Sequence, residues 1–324
     1  MTSQYFRTAR YSCTQGLTSL LLIICGLFVS AASHAQFLSA PQVLRESQFE
    51  YKNLIPASST ATFLAQANAE GASRFSFVGD NAFGDPFNSM VVSIYVRASS
   101  QSSTYVYQSM PLTNSAATFI SQLNVQAALG YRYFGDQSYA GVAASVLVKE
   151  SNNAAYHYKS QPPADTATAF LALINNEGAL GYQYQGNIGF DSGGGNFVFI
   201  SLFSRNTANP TTYTYETAPT SANAAALVTQ ANAQGARQFL YLGGIAFGTT
   251  VFETFSLYEK DNARGDIFRY EQLPRSATPS DFLIQTNAQG ARRFRYFGEV
   301  GFDASPFASL YASVAPIFVN GFDN

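Results

Sequence analysis

The chain has 324 residues, a formal charge of −2, 12% charged residues and 47% hydrophobic ones. That is enough apolar material for packed cores and lies far from the composition of disordered chains. The near-neutral balance leaves no electrostatic footprint for nucleic acid, and no block of like charge suggests a polybasic membrane patch.

Residues 1–35 read as a secretory signal peptide. Arg7 and Arg10 form the positive region, Leu17 to Val29 the apolar region, and Ser33-His34-Ala35 the small-residue cleavage site before Gln36. The apolar run is short for a membrane anchor. Cys25 follows Ile24 rather than a small residue, which argues against a lipoprotein. Both cysteines, Cys13 and Cys25, belong to this segment. The mature chain is therefore expected to have no disulfide, thiolate metal site or thiol nucleophile. No later run is long enough for a spanning helix, so the expected destination is the periplasm or the extracellular medium.

After an N-terminal segment, 36–48, one pattern recurs five times, over roughly 49–99, 103–151, 154–207, 211–262 and 266–314, with a tail at 315–324. Each copy opens on an aromatic-x-aromatic triplet: Phe49–Tyr51, Tyr105–Tyr107, Tyr156–Tyr158, Tyr213–Tyr215 and Phe268–Tyr270. A proline follows at Pro56, Pro111, Pro162, Pro219 or Pro274, and alternation closed by proline predicts a short strand. Ser59, Ser115, Thr166, Asn223 and Thr278 then stand as helix N-caps, four residues before Phe63, Phe119, Phe170, Leu227 and Phe282. Gly71, Gly178, Gly235 and Gly290 are expected to stop the helix as C-terminal caps; the second copy has Ala127 there and Gly130 later.

A second strand is expected at the pairs Phe75/Phe77, Tyr131/Tyr133, Tyr182/Tyr184, Phe239/Tyr241 and Phe294/Tyr296, each closed by glycine. Another ring follows at Phe83, Tyr139, Phe190, Phe247 and Phe302. Ser93, Ser145, Ser201, Ser256 and Ser309 mark a third strand, ended by Arg97, Lys149, Arg205 and Lys260, with Ser313 in the fifth copy. The expected fold is α+β: five tandem βαββ repeats, each a small antiparallel sheet with one helix on it. Two assemblies remain open, an open array and a closed ring. Read in a circle, βαββ resembles the ββαβ blade of the pentein α/β-propeller superfamily, whose guanidine-modifying members use a cysteine nucleophile that the mature chain would lack.

Asn175-Asn176-Glu177-Gly178-Ala179-Leu180-Gly181-Tyr182 resembles the N-x-x-G-x-x-G-aromatic signature of a small bacterial βαββ domain of unknown function. The resemblance implies a fold and no activity, and only the third copy carries the whole motif. The tail Pro316 to Asn324 resembles the I-F-x-x-G-F-[DE] endings of exported proteins of Gram-negative bacteria.

Aromatic strands invite a carbohydrate reading. Yet Glu50, Val106, His157, Thr214 and Arg269 lie between the first-strand aromatics, and Ser76, Arg132, Gln183, Leu240 and Arg295 between those of the second. These mostly polar sets are expected to face water, leaving the rings for the core. Asn68, Asn124, Asn175, Asn232 and Asn287 recur at one position near the helix end. They read either as amides that satisfy backbone groups, in the following turn or the neighbouring unit, or as a ring of ligand-facing amides; recurrence favours the first. The third-strand serines read the same way.

His157 is the one histidine outside the leader, and no G-x-S-x-G elbow exists, so a catalytic triad has little support. Asp80, Asp85 and Asp191 match no calcium loop and read as solvated loop acids. No carboxylate pair stands out for glycoside hydrolysis, and no phosphate loop is present. No cofactor, metal or catalytic residue is assigned. The sequence points to a non-enzymatic exported repeat protein acting as a binding or structural scaffold. A carbohydrate- or peptidoglycan-directed protein with a cell-envelope ligand is the alternative, and a cleft joining His157, Asp191 and Glu253 would favour it.

Overall fold

A computed structural model describes residues 47–84, 89–139, 141–152, 154–192, 197–247, 253–302 and 305–315. The proposed leader, Asp85 and the tail at 316–324 lie outside these residues.

The described chain consists of five βαββ units. Unit 1 contains β1 (Phe49–Leu54), α1 (Thr60–Ala72), β2 (Ser76–Phe83) and β3 (Met90–Ala98). Unit 2 contains β4 (Tyr105–Pro111), α2 (Ala116–Ala128), β5 (Tyr131–Tyr139) and β6 (Val142–Glu150). Unit 3 contains β7 (Tyr156–Gln161), α3 (Ala167–Ala179), β8 (Gln183–Asp191) and β9 (Phe197–Asn206). Unit 4 contains β10 (Tyr213–Pro219), α4 (Ala224–Ala236), β11 (Leu240–Phe247) and β12 (Glu253–Asp261). Unit 5 contains β13 (Ile267–Pro274), α5 (Pro279–Ala291), β14 (Arg295–Phe302) and β15 (Ser305–Ala315). In every unit the third strand lies in the middle of a three-stranded antiparallel sheet, flanked by the first and the second.

The five helices start where the hydroxyl and amide caps predict. Ser59, Ser115, Thr166, Asn223 and Thr278 each accept a hydrogen bond from the backbone N–H three residues on. Their ends differ from expectation. Gly71, Gly178, Gly235 and Gly290 sit inside the last helical turn, and the left-handed residue comes later, as Arg74 (φ 70°), Gly130 (φ 90°), Gly181 (φ 82°), Gln238 (φ 75°) and Arg293 (φ 70°). The helical glycines serve close approach instead. A Cβ on Gly71, Gly178, Gly235 or Gly290 would come within 2.2, 2.4, 2.2 or 2.1 Å of a carbonyl oxygen of the next unit's first strand.

Those contacts show how the units join. Each helix packs chiefly on the first strand of the following unit and less on the sheet of its own, which corrects the picture of self-contained units. Helix α5 of the last unit packs on β1 of the first in the same manner, so the succession of contacts is cyclic. Ring contacts repeat the pattern. Tyr139 of unit 2 stacks on Phe63 of unit 1 at 5.2 Å, Phe190 lies 5.5 Å from Phe119, and Phe247 lies 5.3 Å from Phe170. Phe83 of unit 1 meets Phe282 of unit 5 at 5.2 Å. The cores therefore lie between units: one cluster joins Phe63, Phe77 and Tyr95 of unit 1 to Tyr107, Tyr139 and Val146 of unit 2. Burial of each such ring contributes roughly 1.5–3 kcal/mol, so a unit alone would leave much of its apolar surface wet.

Packing between units also overturns one expectation. Ser76, Arg132, Leu240 and Arg295 are buried and Gln183 is half-buried, although period-two alternation placed them in water. Packing between units covers the second strand on both sides, so alternation there separates two buried environments rather than wet from dry. Of the first-strand set, Glu50, Val106, His157 and Arg269 are exposed as expected, and Thr214 is half-buried.

Candidate functional site

The five recurring asparagines stand at the joints. The first strand of each unit is an edge strand, with one row of backbone groups that no strand pairs. Asn68 fills that need at one joint: its Oδ1 accepts from Tyr107 N at 2.7 Å and its Nδ2 donates to Tyr107 O at 3.1 Å. Asn124 holds Tyr158 N and O at 2.7 and 2.9 Å, and Asn175 holds Tyr215 N and O at 2.8 and 3.1 Å. Asn232 holds Tyr270 N and O at 2.8 and 3.1 Å. Asn287 closes the cycle on Tyr51, at 2.8 and 3.3 Å. An amide offers one acceptor and one donor at the spacing of a peptide edge, which explains why asparagine, and no hydroxyl or acid, stands there.

The same five tyrosines reach back across the joint. The hydroxyls of Tyr107, Tyr158, Tyr215, Tyr270 and Tyr51 accept from the backbone N–H of Phe77, Tyr133, Tyr184, Tyr241 and Tyr296, at 2.8, 2.8, 2.8, 2.7 and 2.6 Å. Those N–H groups lie at the register shift of each second strand. A bulge leaves a donor without a ladder partner, and the phenol supplies one. The sequence carried a signal for this: the triplet's first ring varies between Phe and Tyr, whereas its last is Tyr in all five copies. Burial pushes these phenols well above their ordinary pKa, against the hydrogen bonds they accept.

Copy-specific polar side chains on the second strands lie near groups of the following unit. Arg132 shares the register row of Val148 and Tyr107, and its Nη2 lies 3.5 Å from Glu150, both side chains 9% exposed. Burial lowers the Arg132 pKa, but the charge of Glu150 and the nearby phenols outweigh it and hold the group above its ordinary value. Arg295 is pushed down by burial, opposed by Tyr51 and Tyr105, and lowered further by Arg132. Units 2 and 5 each flank unit 1, so the influence of Arg132 on Arg295 links units that are not neighbours in the cycle. Across the joint of units 3 and 4, Gln183 Nε2 donates to Glu259 at 2.7 Å.

The third-strand serines hold polar groups of the second strand. Ser93 and Ser145 donate to Asp80 and Asp136 at 2.6 Å, and Ser201 and Ser309 donate to Asn187 and Glu299 at 2.8 Å. Asp80 is thus a partly buried, hydrogen-bonded acid rather than a solvated one. Burial raises its pKa and that of Glu299, with the serine bonds opposing. Asp191 is exposed.

The structure does not assemble a cleft from His157, Asp191 and Glu253. His157 pairs with Arg205 at one end of β9 and Asp191 with Phe197 at the other. Eight residues of strand at about 3.3 Å each put them ~26 Å apart. Glu253 is exposed at the start of β12. His157 Nδ1 instead meets the Tyr182 hydroxyl at 2.9 Å. Among the described residues, no helix is long and apolar enough to cross a membrane, and no group of three or more His, Cys, Asp or Glu could hold a metal ion. A cavity of about 550 Å³ opens at the joint of units 3 and 4, beside Arg205. Comparison with protein-family models, curated proteins and solved structures found no match.

Proposed function

We propose that the chain is an exported, non-enzymatic scaffold: a repeat protein that presents surfaces from five units rather than an active site from one. One observation carries the reading. Asn287 holds Tyr51 as each other asparagine holds its tyrosine, so the five recurring amides are engaged in joining units and closing the cycle. The rings needed for sugar stacking are similarly engaged, because Tyr51, Tyr107, Tyr158, Tyr215 and Tyr270 are buried with their hydroxyls on backbone N–H groups. Export rests on residues 1–35, and the tail at 316–324 agrees with an exported Gram-negative origin. The likeness of the third unit to the small bacterial βαββ domain supports a fold shared by tandem modules.

The test is fractionation of expressing cells, N-terminal sequencing of the recovered protein, and incubation with purified peptidoglycan. Gln36 as first residue, without release of reducing ends, is expected. Intact Met1 in the cytoplasmic fraction overturns export, and release of reducing ends overturns the non-enzymatic reading.

A further inference from the structure

In unit 1, Arg97 lies over the Phe75 ring at 4.5 Å and pairs with Glu50, its neighbour across the sheet. Unit 3 keeps the seat and changes the partner. Arg205 lies over Tyr182 at 4.8 Å, but the residue opposite it is His157. Lys159 shares the Tyr182 ring at 4.1 Å and is neutralised by Glu177. Among the described residues, no carboxylate lies within ion-pair distance of Arg205. Its half-buried guanidinium is held by an aromatic face and carries an unneutralised charge.

That charge borders the cavity of about 550 Å³. Gly181 shapes the wall: at φ +82°, a Cβ there would come within 2.8 Å of Thr211 O and 3.4 Å of Arg205 Cδ. Thr207, Thr211, Thr212 and Asn262 also line it: the Thr207 hydroxyl donates to Ala155 O at 3.2 Å and can still accept, the Thr211 hydroxyl donates to Asp261, and the Asn262 amide donates to Thr212 Oγ1 at 3.0 Å. Leu180 contributes an apolar surface, 61% exposed. A volume in the range of small-molecule sites, one fork-shaped cation, several hydroxyls and a short apolar wall define a narrow chemistry. We infer that this joint binds a small hydroxylated organic acid, about the size of one acidic sugar, with its carboxylate on Arg205 and its hydroxyls toward Thr207 and Thr212. The inference deepens the scaffold reading and rests on it, because it names what one joint holds.

Calorimetric titration of the chain from Gln36 with glucuronate, glucose and inorganic phosphate tests it. Glucuronate should bind one per chain, and glucose and phosphate at least about tenfold more weakly, since only glucuronate offers both carboxylate and hydroxyls. Arg205→Met should weaken glucuronate about tenfold or more, and Arg205→Lys, which keeps charge but not the fork, by about threefold. Arg97→Met should leave binding unchanged. If Arg205→Met fails to fold, Arg205→Lys decides. No glucuronate binding, equal binding by phosphate, or binding untouched in a folded Arg205 variant overturns the inference while leaving the scaffold reading intact. Conversion of the bound acid would overturn the scaffold reading instead.

Discussion

The asparagine joint makes a sharp demand of the closing pair. Asn287→Ala removes an acceptor from Tyr51 N, 2.8 Å away, and a donor from Tyr51 O, 3.3 Å away, at a partly buried strand edge. Each lost hydrogen bond is worth about 0.5–1.5 kcal/mol net, and a buried group left unpaired costs about 1–3 kcal/mol. The first bond is short and the second long, and water reaches part of the edge, so a total of roughly 1–3 kcal/mol is expected. Asn175→Ala, inside the chain of units, loses bonds to Tyr215 at 2.8 and 3.1 Å and should cost a similar amount. Urea melts followed by circular dichroism read both: with a slope near 3 kcal/mol/M, the midpoint should fall by about 0.3–1 M. Exposed His157→Ala should stay within about 0.5 kcal/mol. If Asn175→Ala destabilises and Asn287→Ala does not, the contacts between last and first units contribute nothing and the cyclic arrangement is refuted. If neither does, the amides are not the joint.

Further outcomes follow from the same contacts. Tyr215→Phe leaves Tyr184 N without the acceptor it meets at 2.8 Å, so thermal unfolding should show a loss of about 1–3 kcal/mol. Gly178→Ala would place a methyl 2.4 Å from Tyr213 O, and the same melts should report a loss of about 1–3 kcal/mol. Burial raises the folded pKa of the five joint phenols, so the folded chain keeps protons that the unfolded chain loses. Their contribution is whole below about pH 10 and falls with rising pH, by up to about 1.4 kcal/mol per pH unit for each phenol. Absorbance at alkaline pH should therefore show these tyrosines ionising with unfolding rather than before it. Asp80 also has a raised folded pKa, so its contribution is whole below the ordinary carboxylate range and is lost as pH rises through the folded value. Asp80→Asn, the amide that unit 3 carries at Asn187 with the same serine bond, should be neutral or stabilising at pH 7 and should flatten the stability profile on acidification.

Local chemistry was legible along the chain. The aromatic triplets, the five N-caps and the glycine-closed second strands follow from short-range rules of alternation, capping and backbone freedom, and they placed each element. The asparagines stood out by recurrence, but the choice between the following turn and the neighbouring unit depended on which edge strand each helix meets. Tertiary structure decided that, and with it three other things. Gly71 and its counterparts answer to a carbonyl from the next unit, which no local pattern encodes. Arg132 and Arg295 are buried among groups of other units, Tyr156 and Tyr158 beside the first and Tyr51 and Tyr105 beside the second, whereas alternation reports only that two faces differ. The meeting of α5 with β1 joins residues more than 200 positions apart, as in the bond between Asn287 and Tyr51. Periodicity in one dimension specifies the repeating part and its two sides; the angle between successive parts, which sets whether five of them return to the start, arises only from their packing.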